Sequence, residues 1–248
     1  MRCFGVIMLG LIALALLPGP ALGDVLIRQI VHTDLPSAMG ETQTAQDDTS
    51  TIWLSTDRLA VSGGGADALV RLDLSQFYLI NHEDQSYVML SLPIDLANVL
   101  PEDDPSAQMF KQMMQAMQTT ITVTPTDQTK EIRSWDARLY QVEMKNNFVT
   151  IQMDAWATED TSVDPKLYWK LYEALFSVNP VTKDAMSSFQ KIKGIIVLQE
   201  QTVQVMGQET KQRTEVIEIR EEKAPREVFR LPKGYEKKTF NPMEAMGR

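Results

Sequence analysis

Between residues 120 and 154 apolar and polar positions alternate with a period of two. Thr120-Ile121-Thr122-Val123-Thr124 is one run. Tyr140, Val142 and Met144 then alternate with Gln141, Glu143 and Lys145, and Val149, Ile151 and Met153 with Thr150, Gln152 and Asp154. This periodicity predicts strands with one covered face. Asn146-Asn147 predicts a hairpin turn between the last two, because asparagine tolerates positive φ. Ile195–Leu198, Val203–Val205 and Ile217–Ile219 continue the pattern, with Gly207 at a turn. Further strands are predicted at Val25–Val31, Ile52–Leu54, Leu59–Val61, Ala68–Leu74, Phe77–Ile80 and Tyr87–Leu92. Thr42–Ser50, Asp57-Arg58, Gly63-Gly64-Gly65 and His82–Gln85 read as loops or turns between them. Such short connections predict an antiparallel meander, since parallel neighbours need crossovers of about a dozen residues.

Two helical zones interrupt the strands, and a third candidate follows. In Pro105–Gln118, residues Met109, Phe110, Met113, Met114 and Met117 fall on one face at helical spacing. Asp164-Pro165 reads as an N-cap followed by proline at the first helical position. Beyond it Lys166, Lys170, Glu173 and Ser177 form a narrow polar stripe, and Leu167, Tyr168, Leu171, Tyr172, Leu175 and Phe176 fill the remaining surface. Val181–Lys193 is the third candidate, stopped by Gly194. The expected fold class is α+β: a curved antiparallel sheet, or half-barrel, with two or three helices on its concave face and its polar face outward. With no repeat or Pro/Gly/Ser-rich linker, residues 24–240 are expected to form one domain, followed by a tail at 241–248.

The first 23 residues alter the composition. A basic start at Met1-Arg2, an apolar run from Val6 to Leu17, Pro18-Gly19-Pro20 and the small residues before Asp24 together predict a secretory signal peptide cleaved after Gly23. The run is shorter than the roughly 20 residues of a spanning helix, and no later stretch supplies one. Cys3 precedes the apolar core, the wrong place for lipid acylation of a first mature residue. Cleavage leaves 225 residues without cysteine and, with Arg2 gone, moves the formal charge from −9 to −10. Disulfides and thiol chemistry are thereby excluded from the mature chain, and the acidic balance argues against nucleic acid as a partner. The expected localisation is periplasmic or extracellular.

Candidate chemistry is sparse. His32 and His82 are the only imidazoles, and no Gly-x-Ser-x-Gly elbow presents a serine to either. Both read as surface or turn residues. Two isolated histidines without cysteine make a weak zinc site, and Asp47-Asp48, Glu83-Asp84 and Glu102-Asp103-Asp104 lack the alternating oxygen ligands of a calcium loop. Gly63-Gly64-Gly65 has no following Lys-Ser/Thr and is no phosphate loop. Neither a catalytic residue, a metal nor a cofactor is expected. The methionine face is more informative, because flexible thioethers suit surfaces that accept varied apolar shapes, such as lipid tails or partner segments, as well as filling gaps in a core.

The order of segments carries a resemblance. A strand follows the cleavage site closely, then Thr51-Ile52-Trp53-Leu54-Ser55-Thr56-Asp57-Arg58-Leu59, then Leu69 through Ile80, then Ser86-Tyr87-Val88-Met89-Leu90, and near the end Val228-Phe229-Arg230-Leu231-Pro232-Lys233-Gly234-Tyr235. Over most of Asp24–Lys238 the chain resembles an uncharacterised exported bacterial family of unknown function, itself similar to the LolA/LolB-like lipoprotein-carrier superfamily. The resemblance implies an incomplete antiparallel barrel with helices lidding an apolar concavity for acyl chains. The expected function is non-enzymatic binding of a lipid, acyl chain or lipidated partner. The cavity candidates are Trp53, Met109, Phe110, Met113, Met114, Met117, Tyr168, Leu171 and Tyr172. The alternative is an envelope protein–protein interaction or sensor module without a small ligand.

Overall fold

A computed structural model describes residues 23–34, 46–63, 66–95, 100, 107–177, 183–205 and 208–240. The apolar run of the signal peptide, Gly64-Gly65, Gly207 and the 241–248 tail lie outside the described residues. Six strands come first: β1 (Val25–Asp34), β2 (Gln46–Ser55), β3 (Arg58–Ser62), β4 (Ala66–Arg71), β5 (Gln76–Asn81) and β6 (Ser86–Ser91). Helix α1 (Ala107–Ala116) leads into β7 (Thr120–Ile132), β8 (Trp135–Lys145) and β9 (Val149–Thr158). Helices α2 (Pro165–Phe176) and α3 (Lys183–Ser187) and a 3₁₀ segment (Ser188–Lys191) precede β10 (Ile195–Val205), β11 (Gln208–Glu221) and β12 (Glu236–Lys238).

The twelve strands among the described residues form one unclosed sheet in the order β12-β6-β5-β4-β3-β2-β1-β11-β10-β9-β8-β7. It consists of two antiparallel meanders, β1–β6 and β7–β11, joined where the first strand pairs with β11 from Val25↔Glu221 to Asp34↔Lys211. The expected meander holds within each half, but β12 adds to β6 in parallel, Glu236 opposite Ser86. Residues 46–50, expected in a loop, are the first half of β2, paired with Gln29–Thr33 of β1. Most of these polar residues are exposed, so backbone pairing rather than burial holds them in the strand.

The alternation of the first meander resolves into two separate cores. Val25, Ile27, Ile52, Leu54, Leu59, Val70, Phe77 and Leu90 face one side, where they meet Tyr168, Leu171 and Ala174 of α2. Their immediate neighbours Leu26, Trp53, Ala60, Leu69, Tyr78 and Ile80 face the other, where Ala224 and Phe229 cover them. The outward face of these strands is thus apolar, contrary to the expected polar exterior. Segments such as Ile52-Trp53-Leu54 and Phe77-Tyr78-Leu79-Ile80 are continuous apolar runs, the pattern of a sheet buried on both faces. A third cluster joins Ile121, Val123, Tyr140, Val142, Met153, Ala155 and Ala157 of β7–β9 to Ala185, Phe189 and Ile192.

The β8–β9 hairpin forms at the predicted turn. Asn146 donates its backbone N–H to Val149, and its side-chain oxygen accepts from the N–H groups of Phe148 and Val149 at 2.9 and 2.8 Å. The next connection, from Thr158 to Ile195, carries α2, α3 and the 3₁₀ segment as one excursion that leaves and re-enters the sheet at paired residues.

Candidate ligand-binding cleft

Helix α2 starts where the sequence predicts: the Asp164 carboxylate accepts from the Lys166 N–H at 2.9 Å, and Pro165 occupies the first turn. Such a cap satisfies one of the donors a helix N-terminus leaves free. One face of α2 buries Tyr168, Leu171 and Ala174 in the large core. On the flank, Trp169 lies at the seam of the two helix-covered cores and donates its indole N–H to the Gly194 carbonyl at 3.0 Å. Its ring stacks on Phe189, with centroids 5.7 Å apart and planes 18° apart, and meets Tyr168 edge-on at 5.1 Å.

Gly194 is required for this arrangement. Its φ is +81°, and a Cβ there would lie 1.9 Å from the Thr158 carbonyl oxygen. Only glycine permits the approach by which the excursion rejoins the sheet. Met186 at the end of α3, Phe189 in the 3₁₀ segment and Ile192 at its C-cap recur every third residue and come together on one side.

A cleft of about 480 Å³ opens between α2 and the α3–3₁₀ segment. Trp169, Met186, Phe189 and Ile192 supply its apolar lining, and Lys166, Lys170, Lys193, Glu159 and Glu173 are its charged residues. The volume lies in the range of small-molecule sites, roughly 300–1,000 Å³. The arrangement can shelter an apolar chain on aromatic faces while a polar end stays at the charged rim.

The structure divides the predicted cavity residues among three places. Tyr168, Leu171 and Tyr172 stand together on α2, with Leu171 fully enclosed and the Tyr168 and Tyr172 rings 4.4 Å apart. The space between this part of α2 and the sheet is filled by Leu59, Val70 and Phe77, each without solvent exposure. Trp53 lies on the opposite face of the sheet, in the cluster covered by Phe229. On α1, Phe110 and Met114 are buried, Met113 is half-buried and Met109 is 60% exposed, and Met117 just beyond the helix is half-buried. This helix is tied to the β8–β9 turn, where the Asn147 amide donates to the Ala116 carbonyl at 3.0 Å. Trp169, Met186, Phe189 and Ile192, which line this cleft, are not among the cavity candidates read from the sequence. The available signal was Trp169 interrupting the border between the polar stripe and the apolar face of α2.

The histidines lie elsewhere. His32 is exposed on β1 between Asp47 and Asp34, and the Asp47 hydrogen bond raises its pKa above 6.5. His82, in the β5–β6 turn, contacts the Asp67 carboxylate at 2.9 Å through Nε2 and the Tyr235 hydroxyl at 2.8 Å through Nδ1. Among the described residues no three His, Cys, Asp or Glu side chains are grouped to hold a metal ion. No helix among the described residues is long and apolar enough to cross a membrane.

No protein-family model and no curated protein matches the chain. Several solved structures are similar at low identity. The chain is similar to PNGF-II at 10% identity and a TM-score of 0.41, with 91% of this chain aligned to 32% of that one, so it spans about a third of that protein's length. It is similar to a DUF1329 family protein from Desulfovibrio piger at 8% identity and a TM-score of 0.33, over 85% of this chain and 91% of that one. It is also similar to a domain described as an outer membrane lipoprotein-sorting protein from Vibrio parahaemolyticus, at 6% identity and a TM-score of 0.31, over 84% and 89% of the two chains.

Proposed function

We propose that this is an exported, non-enzymatic protein that binds a hydrophobic ligand: a lipid, an acyl chain or a lipidated partner. The proposal includes LolA-like packing of helices on a half-barrel and cleavage of the signal peptide after Gly23. The cleft between α2 and the 3₁₀ segment carries the reading, because Trp169 and Phe189 form a stacked aromatic wall that lines an accessible space. Each CH₂ of a chain laid on such a wall contributes up to ~0.8 kcal/mol, from which ordering costs must be subtracted.

Because the space between α2 and the sheet is filled, the outer cleft supports this reading better than the interior does. Native mass spectrometry of protein purified from its own host tests the reading. Co-purified lipid, or uptake of added fatty acid that Phe189→Ala weakens, is expected. Apo mass alone with no uptake would overturn it. A second reading, an envelope interaction module, draws on Met109 and Phe148, exposed at 60% and 47% on α1 and on the hairpin that holds it.

A further inference from the structure

We infer that the cleft takes an anionic amphiphile, its apolar chain along Trp169 and Phe189 and its carboxylate or phosphate head among Lys166, Lys170 and Lys193. This rests on the reading of the cleft as a hydrophobic-ligand site and adds the class of head group. The chain carries a formal charge of −9, yet three lysines and two glutamates line this opening. Lys166 and Lys170 are one helical turn apart on α2, a spacing at which like charges repel.

Several arginines on and beside the sheet are held differently. Arg28, Arg71, Arg133, Arg213 and Arg220 each lie within 4 Å of a carboxylate. Among the described residues no such ion pair engages Lys166, Lys170 or Lys193, although Glu159 and Glu173 line the same cleft. The backbone beneath Lys193 is fixed, since its N–H donates to the Tyr140 hydroxyl at 3.2 Å. Lysine stems can lie along apolar surface with their ammonium groups in water, so they extend the aromatic wall and end it in positive charge. An anion bound there gains three cationic neighbours that form no ion pair with the protein's own carboxylates, whereas an uncharged head gains at most a hydrogen bond from them.

Full-length mature protein is titrated calorimetrically with decanoate, decyl phosphate, decanol and inorganic phosphate, at low and high salt. Both anionic amphiphiles are expected to bind at least about tenfold more tightly than decanol, with an advantage that shrinks as salt screens the head group. A Lys166→Gln/Lys170→Gln/Lys193→Gln variant should bring them down towards the affinity of decanol, which loses only the contacts of the lysine stems and should weaken far less. All three positions are exposed, and an unaltered circular dichroism spectrum verifies folding. Equal affinity for decanoate and decanol, insensitive to the lysine changes, overturns the head-group inference but leaves the hydrophobic site standing. Failure of all three chain-bearing compounds overturns both readings. Inorganic phosphate competing as well as decyl phosphate would show a simple anion site and overturn the amphiphile.

Discussion

Gly194 fixes one wall of the cleft, because the Trp169 indole is hydrogen-bonded to its carbonyl. With φ at +81° and a backbone oxygen 1.9 Å from the position of any Cβ, Gly194→Ala combines backbone strain with a collision that side-chain motion cannot relieve. We expect a loss of about 3 kcal/mol, seen in thermal unfolding as a Tm lower by about 6–12 °C. His32 yields a second expectation at this scale. Its folded pKa is raised, first of all by the Asp47 hydrogen bond, so the contribution is complete below 6.5 and disappears as pH rises through the folded value. An NMR titration should place the His32 midpoint above 6.5, and Asp47→Asn should bring it back towards 6.5. A midpoint unmoved by that substitution would remove Asp47 as the cause. Individual residues were legible where the signal is local. Asp164-Pro165 names a helix start by its own chemistry, and Asn146 names its turn. Trp53 was not legible in this way, because its face of β2 is decided by Phe229, far along the chain.

At the scale of elements, α2 was readable as a helix with an unusually narrow polar stripe, and that stripe proved to face the cleft. Its buried side makes the fold sensitive to alkali. Burial raises the pKa of both Tyr168 and Tyr172, and the neighbouring Tyr172 adds to the effect on Tyr168. The neutral phenols contribute stability below about pH 10 that is lost as pH rises beyond it, since the unfolded chain ionises first. A Tyr168→Phe/Tyr172→Phe protein should therefore show a flatter decline of chemical-denaturation midpoint above pH 10 than the parent. An identical decline would assign it to other groups.

The segment after β11 had no periodicity to betray it. It covers the second face with Ala224 and Phe229, the latter capped by the Arg58 guanidinium 5.9 Å above its ring. Arg71 donates to the Phe229 carbonyl at 3.2 Å, and β12 anchors the end of the segment. Phe229→Ala should cost about 3 kcal/mol and open the chain between β11 and β12 to limited proteolysis. Wild-type resistance in the variant would mean that β12 alone secures it.

For the whole molecule, alternation and short turns sufficed to predict a large antiparallel sheet with helices on it. They could not show that two meanders meet through their outermost members, because strand pairing over such a separation leaves no local mark. Nor could they distinguish one covered face from two, although the continuous apolar runs at Phe77–Ile80 and Ile52–Leu54 carried that information. The union of Val25 with Glu221 also sets a timetable. β1 is among the first described segments to leave the ribosome, and its second partner is among the last. The middle of the sheet therefore cannot close until β11 has been made. Arrested nascent chains ending before residue 208 should remain protease-sensitive throughout, while release of the complete chain brings late, slow protection of both halves together.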